Sequence, residues 1–175
     1  MPDLLTSARS MLATSVDRWA AIARVDPELL SRCPAPGEWS AIQCLAHVVD
    51  TEAAVFHARV VAILEGRDFV AFNQDAEGTV DRITATAAGL VAVLAPMRDA
   101  SMATLDSLGA ADLDRTARHA ELGAVTMAEL LNEWAAHDTV HVVQAERALM
   151  QAFIPGSGPW RPYFADHDVE VASSR

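Results

Sequence analysis

Four stretches of apolar residues at helical spacing, each cut off by proline or glycine, restrict this chain to few folds. In the first, from about Asp3 to Val25, Leu4, Leu5, Ala8, Met11, Leu12, Val16, Trp19 and Ile22 recur with the helical period, and Asp26-Pro27 ends the run. The second is expected from Ala41 to about Glu65, stopping at Gly66. Ser40 is placed to cap it, and Gln43 to complete a capping box. The third starts near Thr79 and reaches roughly Ser107, where Pro96 should bend or divide it. The fourth runs from Met127 to about Phe153, capped by Thr126 with Glu129 three residues on, and closed by Pro155-Gly156. No stretch alternates for more than a few residues, so a sheet is not expected. The fold class that follows is all-α, an antiparallel four-helix bundle, as a single domain over residues 1–175. The intervals from Arg67 to Gly78 and from Ala110 to Val125 read as connections. The short C-terminal tail should pack on the bundle, pinned by Trp160, with Ala172 to Arg175 fraying.

With 175 residues, half of them apolar, the chain is long enough to bury a core without disulfides. Its net charge of −11 is spread without any basic face, which argues against a nucleic-acid partner. Charged residues interrupt every apolar run before bilayer length, so no membrane partner is expected. The two cysteines, Cys33 and Cys44, make no disulfide lattice, and no basic segment precedes an apolar run near Met1. A cytoplasmic location is the expectation.

The segment EWAAHDTVHVVQAE, Glu133 to Glu146, puts two histidines four residues apart in the fourth helix. At about 100° per residue, His137 and His141 lie on one stripe with Leu130, Trp134 and Gln144. Burying imidazoles without partners is costly, so something must satisfy them. They are either two hydrogen-bonded core histidines or two ligands of one metal, the spacing seen in metallohydrolase helices. Asp138 stands where a zinc protease would carry glutamate, so this is not that helix. A third ligand would come from another helix. Periodicity does not choose it: the densest apolar stripe of the second helix is Ile42, Leu45, Val49, Ala53, Phe56, Val60 and Ile63, and His47 points away from it, toward small residues.

Three segments taken together, GEWSAIQCLAHVVDTE (Gly37 to Glu52), RHAELGAVTMAELLNEWAAHDTVHVVQ (Arg118 to Gln144) and GPWRPYF (Gly158 to Phe164), resemble the DinB-like superfamily of bacterial four-helix-bundle proteins. The resemblance covers nearly the whole chain and is weakest in the first helix. It implies a divalent metal held by one histidine of the second helix and an H-x-x-x-H pair of the last, matching His47, His137 and His141. Trp39-Ser40 matches the family's Trp-Ser, and Gln144 a glutamine common after the pair. His119-Ala120 departs from a frequent His-Pro.

Three neutral imidazoles would leave a metal with open positions for water, whose pKa falls on binding. Zinc, nickel and iron all suit imidazole, with zinc slightly preferred. Gln144, Asp50 and Glu133 are the candidates to steady the histidine rings. His57 is left out, Cys44 is expected to be buried, and Asp138 to cap or pair with a neighbouring helix. His119 could touch a substrate or accept a backbone bond. Trp39 and Trp134 read as core anchors.

Some members of the superfamily are metal-dependent transferases or isomerases that use a bacterial thiol such as mycothiol or bacillithiol. The resemblance therefore implies a metal-dependent enzyme with a low-molecular-weight thiol as partner, and Arg59, Arg118 or Arg161 as contacts for it. The alternative is a non-catalytic, stress-associated metal-binding protein, or a structural dimer with a vestigial site. A homodimer is expected from the alanine-rich helix faces.

Overall fold

The computed structural model describes residues 3–73 and 85–169. The first helix, α1 (Leu4–Ile22), is capped by Asp3, whose carboxylate accepts from the Thr6 amide at 3.1 Å. A short α2 (Pro27–Ser31) follows. The second long segment is continuous but not uniform. It comprises α3 (Ala41–Thr51), a π-helical turn (Glu52–Phe56) and α4 (His57–Glu65), ending at Gly66 in the left-handed conformation. Ser40 and Gln43 form the expected capping box.

Helix α5 (Ala87–Asp106) is continuous through Pro96, so the expected division does not occur. Pro96 and Ala92 are both exposed, so water can reach the carbonyl that loses its amide partner, and the break is not forced. The start expected near Thr79 and the far end of the 67–78 loop lie outside the described residues, as do Ala172 to Arg175.

The connection before the last helix holds more structure than its sequence suggested. A 3-10 turn (Ala110–Asp114) leads into β1 (Thr116–His119) and β2 (Gly123–Thr126), an antiparallel hairpin with His119 opposite Gly123. Gly123 adopts φ +82°, the left-handed residue such a three-residue loop requires. Phe69 bonds alongside β1, its amide donating to Arg118 O at 3.0 Å and its carbonyl accepting from Ala120 N at 3.1 Å. Strands this short show no alternation to read.

The last helix, α6 (Met127–Met150), starts at the Thr126–Glu129 capping box. Helix α1 and the α3–α4 segment each pack on both α5 and α6, which closes the four-helix bundle. Leu12, Phe56, Leu131 and Trp134 centre one part of the core, and Trp19, Leu45, Leu94 and Val142 the other. Cys44 lies in the second part, its thiol pushed up to about 12 by burial; both cysteines are free.

The tail returns to the bundle, but not by its aromatic residues. Trp160 is 64% exposed and Tyr163 82%. The buried Ile154, the Arg161–Asp168 ion pair at 2.8 Å and the Gln151 side chain, which donates to His167 O and accepts from Val169 N, hold it instead. No helix among the described residues is long and apolar enough to cross a membrane.

Candidate metal centre

The two long helices that carry histidines meet where α3 packs on α6. His47 comes from α3, and His137 and His141 from successive turns of α6. Their ring centroids lie 4.4 to 5.0 Å apart. One nitrogen from each ring lies within 4.8 Å of the others. The Nε2 atoms of His47 and His137 face each other at 3.0 Å, and His141 donates from Nδ1 to Gln144 Oε1 at 2.9 Å. That bond fixes the His141 hydrogen on Nδ1 and leaves Nε2 with its lone pair.

Aromatic rings wall the cluster. Trp39 stacks on His141 at 5.8 Å with planes 19° apart, and lies 5.1 Å from His47. Phe56, turned inward by the π-helical turn, meets His137 edge-on at 4.9 Å and stacks on Trp134 at 5.2 Å. Trp39 is therefore a wall of this site and not the simple core anchor expected of it.

Burial disfavours the protonated form of the two α6 rings. Burial pushes His137 down to about 3, helped by the charges that His141 and His47 would carry. Burial also lowers His141, against the opposing effects of Gln144 and Asp138. Lone pairs without protons are what a metal ion requires of imidazole. The arrangement also has a defect that a cation would cure. If both facing rings carry their hydrogens on Nδ1, two Nε2 lone pairs oppose each other at 3.0 Å. A cation between the lone pairs removes that repulsion, so the residues present fit a divalent metal.

Among the described residues, two cavities that reach the cluster lie on different sides of it. A cleft of about 310 Å³ touches His47 and His137 and extends past Thr51, Phe56 and Phe72 to Arg59 and His119. A second, of about 380 Å³, touches His141 and Gln144 beside Trp39 and Arg147.

The other candidates are distributed unevenly. Gln144 bonds directly to a cluster ring. Glu133 lines the 310 Å³ cleft with His47 and His137; desolvation raises its carboxyl pKa, and the Arg59 charge partly offsets this. Asp50 is buried on α3, and neither cavity that reaches the cluster is lined by it. His57 bonds to Thr104 at 3.0 Å, away from the cluster. His119 accepts backbone bonds in the hairpin turn.

One buried group was signalled in the sequence only by Asp138. Arg98 of α5 reaches into the core, bonding to Glu52 at 3.0 Å and Asp138 at 2.9 Å, with Ser15 Oγ and Leu12 O also accepting from it. Asp138 does pair with a neighbouring helix, as expected, but it does so fully buried. It occupies the centre of the inward face of α6, and the histidines sit at its edge.

The chain belongs to the DinB superfamily, whose family model matches residues 8–145. Its fold is similar to that of YfiT from Bacillus subtilis, described as a probable metal-dependent hydrolase with an unusual four-helix bundle topology. The TM-score is 0.75 at 18% identity, over 85% of this chain and 87% of that one. At that identity the likeness is one of fold. No curated protein matches the sequence.

Proposed function

We propose that His47, His137 and His141 bind one divalent first-row metal, zinc before nickel or iron, and that the protein is a metal-dependent enzyme. The observation that carries this reading is the convergence of one ring nitrogen from each of three histidines beside an open cleft. A metal held by three imidazoles supplies Lewis-acid chemistry at its open positions. The chain's own residues do the rest. Gln144 holds the His141 ring by its Nδ1 hydrogen, Phe56 and Trp39 fix the planes of the rings, and Glu133 offers an acceptor in the cleft. Asp50, buried on α3 three residues after His47, is the candidate to steady the His47 ring.

Within this reading, a low-molecular-weight bacterial thiol is the proposed co-substrate of a transferase or isomerase, in the cytoplasm, with a homodimer as the assembly. Family membership supports the thiol; the YfiT likeness supports hydrolysis as the competing reaction.

Elemental analysis of the metal-reconstituted full chain tests the site. Near one metal per chain is expected for the parent and for His57→Ala, and little for His47→Ala, His137→Ala or His141→Ala. Equal occupancy in the His47 variant would overturn the three-histidine set. Zinc-loaded protein is then assayed with bacillithiol plus 1-chloro-2,4-dinitrobenzene and, separately, with p-nitrophenyl acetate. Turnover of the ester alone favours hydrolysis, and turnover of neither favours a non-catalytic metal-binding protein. Sedimentation equilibrium giving only monomer would remove the dimer.

A further inference from the structure

The far end of the 310 Å³ cleft brings two hydrogen-bond donors within 3.4 Å of each other. His119 Nδ1 accepts from the backbone amides of Glu121 at 3.1 Å and Leu122 at 3.3 Å, inside the hairpin turn. A nitrogen that accepts two amide hydrogens bears a lone pair, so the ring hydrogen is on Nε2. That Nε2 lies 3.4 Å from Nη2 of Arg59. A guanidinium has only donors, so no hydrogen bond joins the two groups directly. An acceptor placed between them would satisfy both.

The rest of the surroundings leaves that place open. Arg59 donates to Val70 O at 3.3 Å and lies over the Phe69 ring at 5.1 Å. It forms no direct ion pair among the described residues; the Glu133 charge acts on it without a hydrogen bond between them. His119 is buried at 5% exposure, with Phe69 edge-on to it at 5.7 Å. These contacts hold both donors in position before any ligand arrives, which reduces the ordering cost of binding.

We propose that Arg59 Nη2 and His119 Nε2 form a two-donor clamp for the carboxylate of a small monoanionic ligand, whose body runs along the cleft toward His47 and His137. The two oxygens of a carboxylate can accept from two donors side by side, with charge assistance from the guanidinium. Glu121 and Glu133 line the same cleft, and the chain carries a net charge of −11, so a dianion such as a phosphate is disfavoured. Val55, Phe56, Phe72 and Leu122 give the ligand's body an apolar wall. The proposal deepens the metal-enzyme reading by naming a substrate class, but the clamp itself needs no metal.

The test uses the ¹⁵N-labelled full chain, metal-free and zinc-loaded. Long-range ¹H–¹⁵N spectra should show His119 as the Nε2–H tautomer; an Nδ1–H tautomer or an imidazolium overturns the proposal. Titration with butyrate should then give a saturable shift at His119 Nε2 in both forms of the protein. Inorganic phosphate should bind at least about tenfold more weakly, and equal or tighter phosphate binding overturns the carboxylate assignment. Losing one donor in Arg59→Met or His119→Phe should weaken butyrate about tenfold or more. Arg59→Lys, which retains the charge but loses the planar fork, serves as the second variant if circular dichroism shows Arg59→Met misfolded, and should also weaken binding. Butyrate binding that appears only with zinc puts the carboxylate on the metal and overturns the clamp while supporting the metal site. Butyrate binding in a protein that takes up no zinc supports the clamp and removes the metal reading.

Discussion

Arg98 grips Asp138 with both arms of its guanidinium, Nη2 to Oδ1 at 2.9 Å and Nη1 to Oδ2 at 3.3 Å, at a point in the core where neither side chain reaches water. Asp138 is the residue after His137, so this grip also sets how α6 turns its histidines toward α3. Glu52 completes the group from the π-helical turn, and Ser101 donates to Glu52 at 2.6 Å. One cation and two carboxylates are thus shared among three of the long helical segments.

Removing the cation alone should be severe. Arg98→Met leaves Glu52 and Asp138 buried without their partner, and we expect a loss of about 3–5 kcal/mol by urea denaturation. The triple variant Arg98→Met, Glu52→Gln, Asp138→Asn should recover part of that loss, because no uncompensated charge remains. A single Arg98→Met as stable as the parent would show that the network contributes nothing to folding.

Stability of the metal-free protein should fall as the solution becomes mildly acidic. His137 is depressed to about 3 in the folded chain from an unfolded value of 6.5, so the unfolded state takes up a proton first. Its contribution is fully present above pH 6.5 and is lost as pH falls toward 3; His141, also lowered, acts in the same direction. Hydrogen bonds from Thr6 and Thr126 hold the cap carboxylates of Asp3 and Glu129 below their ordinary values of 3.8 and 4.5, so their contributions fade at lower pH still. The raised Glu133 carboxyl acts in the opposite direction as pH falls, so the histidine part is isolated by comparing the parent with a His137 variant between pH 6.5 and 5. Thermal unfolding of His137→Gln across that interval should change less than the parent's, and parallel curves would contradict the assignment.

Gln144 should matter to metal affinity more than to folding. Its oxygen holds the His141 ring from the side away from the cluster, and loss of such a partner weakens metal binding by about 10–100-fold. Competition of Gln144→Ala against a chromophoric chelator measures this. Gln144→Glu, which keeps an acceptor at the same place, should restore most of the affinity.

The bundle was legible because its signals are local: Ser40–Gln43 and Thr126–Glu129 cap the helices where their sequence pattern says they should. The hairpin was not, since Thr116–His119 and Gly123–Thr126 are held by pairing with each other and with Phe69. His137 and His141 stood out by their spacing; His47 needed the family pattern. The reason lies in the second long segment, where a wheel of constant 100° steps drew one stripe from Ile42 to Ile63 and put Ala53 on it. Ala53 is exposed, and Glu52, Val55 and Phe56 are the buried residues of that turn. Of the Arg98 network only Asp138 was marked to pair with a neighbouring helix; Arg98 and Glu52 lie far from it in sequence and each, alone, looks like a surface charge. The tail misled in the opposite direction: its aromatic residues look like core, but Trp160 and Tyr163 face solvent.

The π-helical turn from Glu52 to Phe56 works as a phase shifter between two gears on one shaft. A turn that closes its hydrogen bonds one residue later than an α-helix offsets everything downstream by roughly one position, about 100° of rotation. Upstream, α3 is timed to present His47; the turn itself ends on Phe56 against His137, and downstream α4 is timed to bring Arg59 into the cleft. Deleting the exposed Ala54 would mesh the two halves into one uninterrupted helix, and only one of those two settings could then be kept.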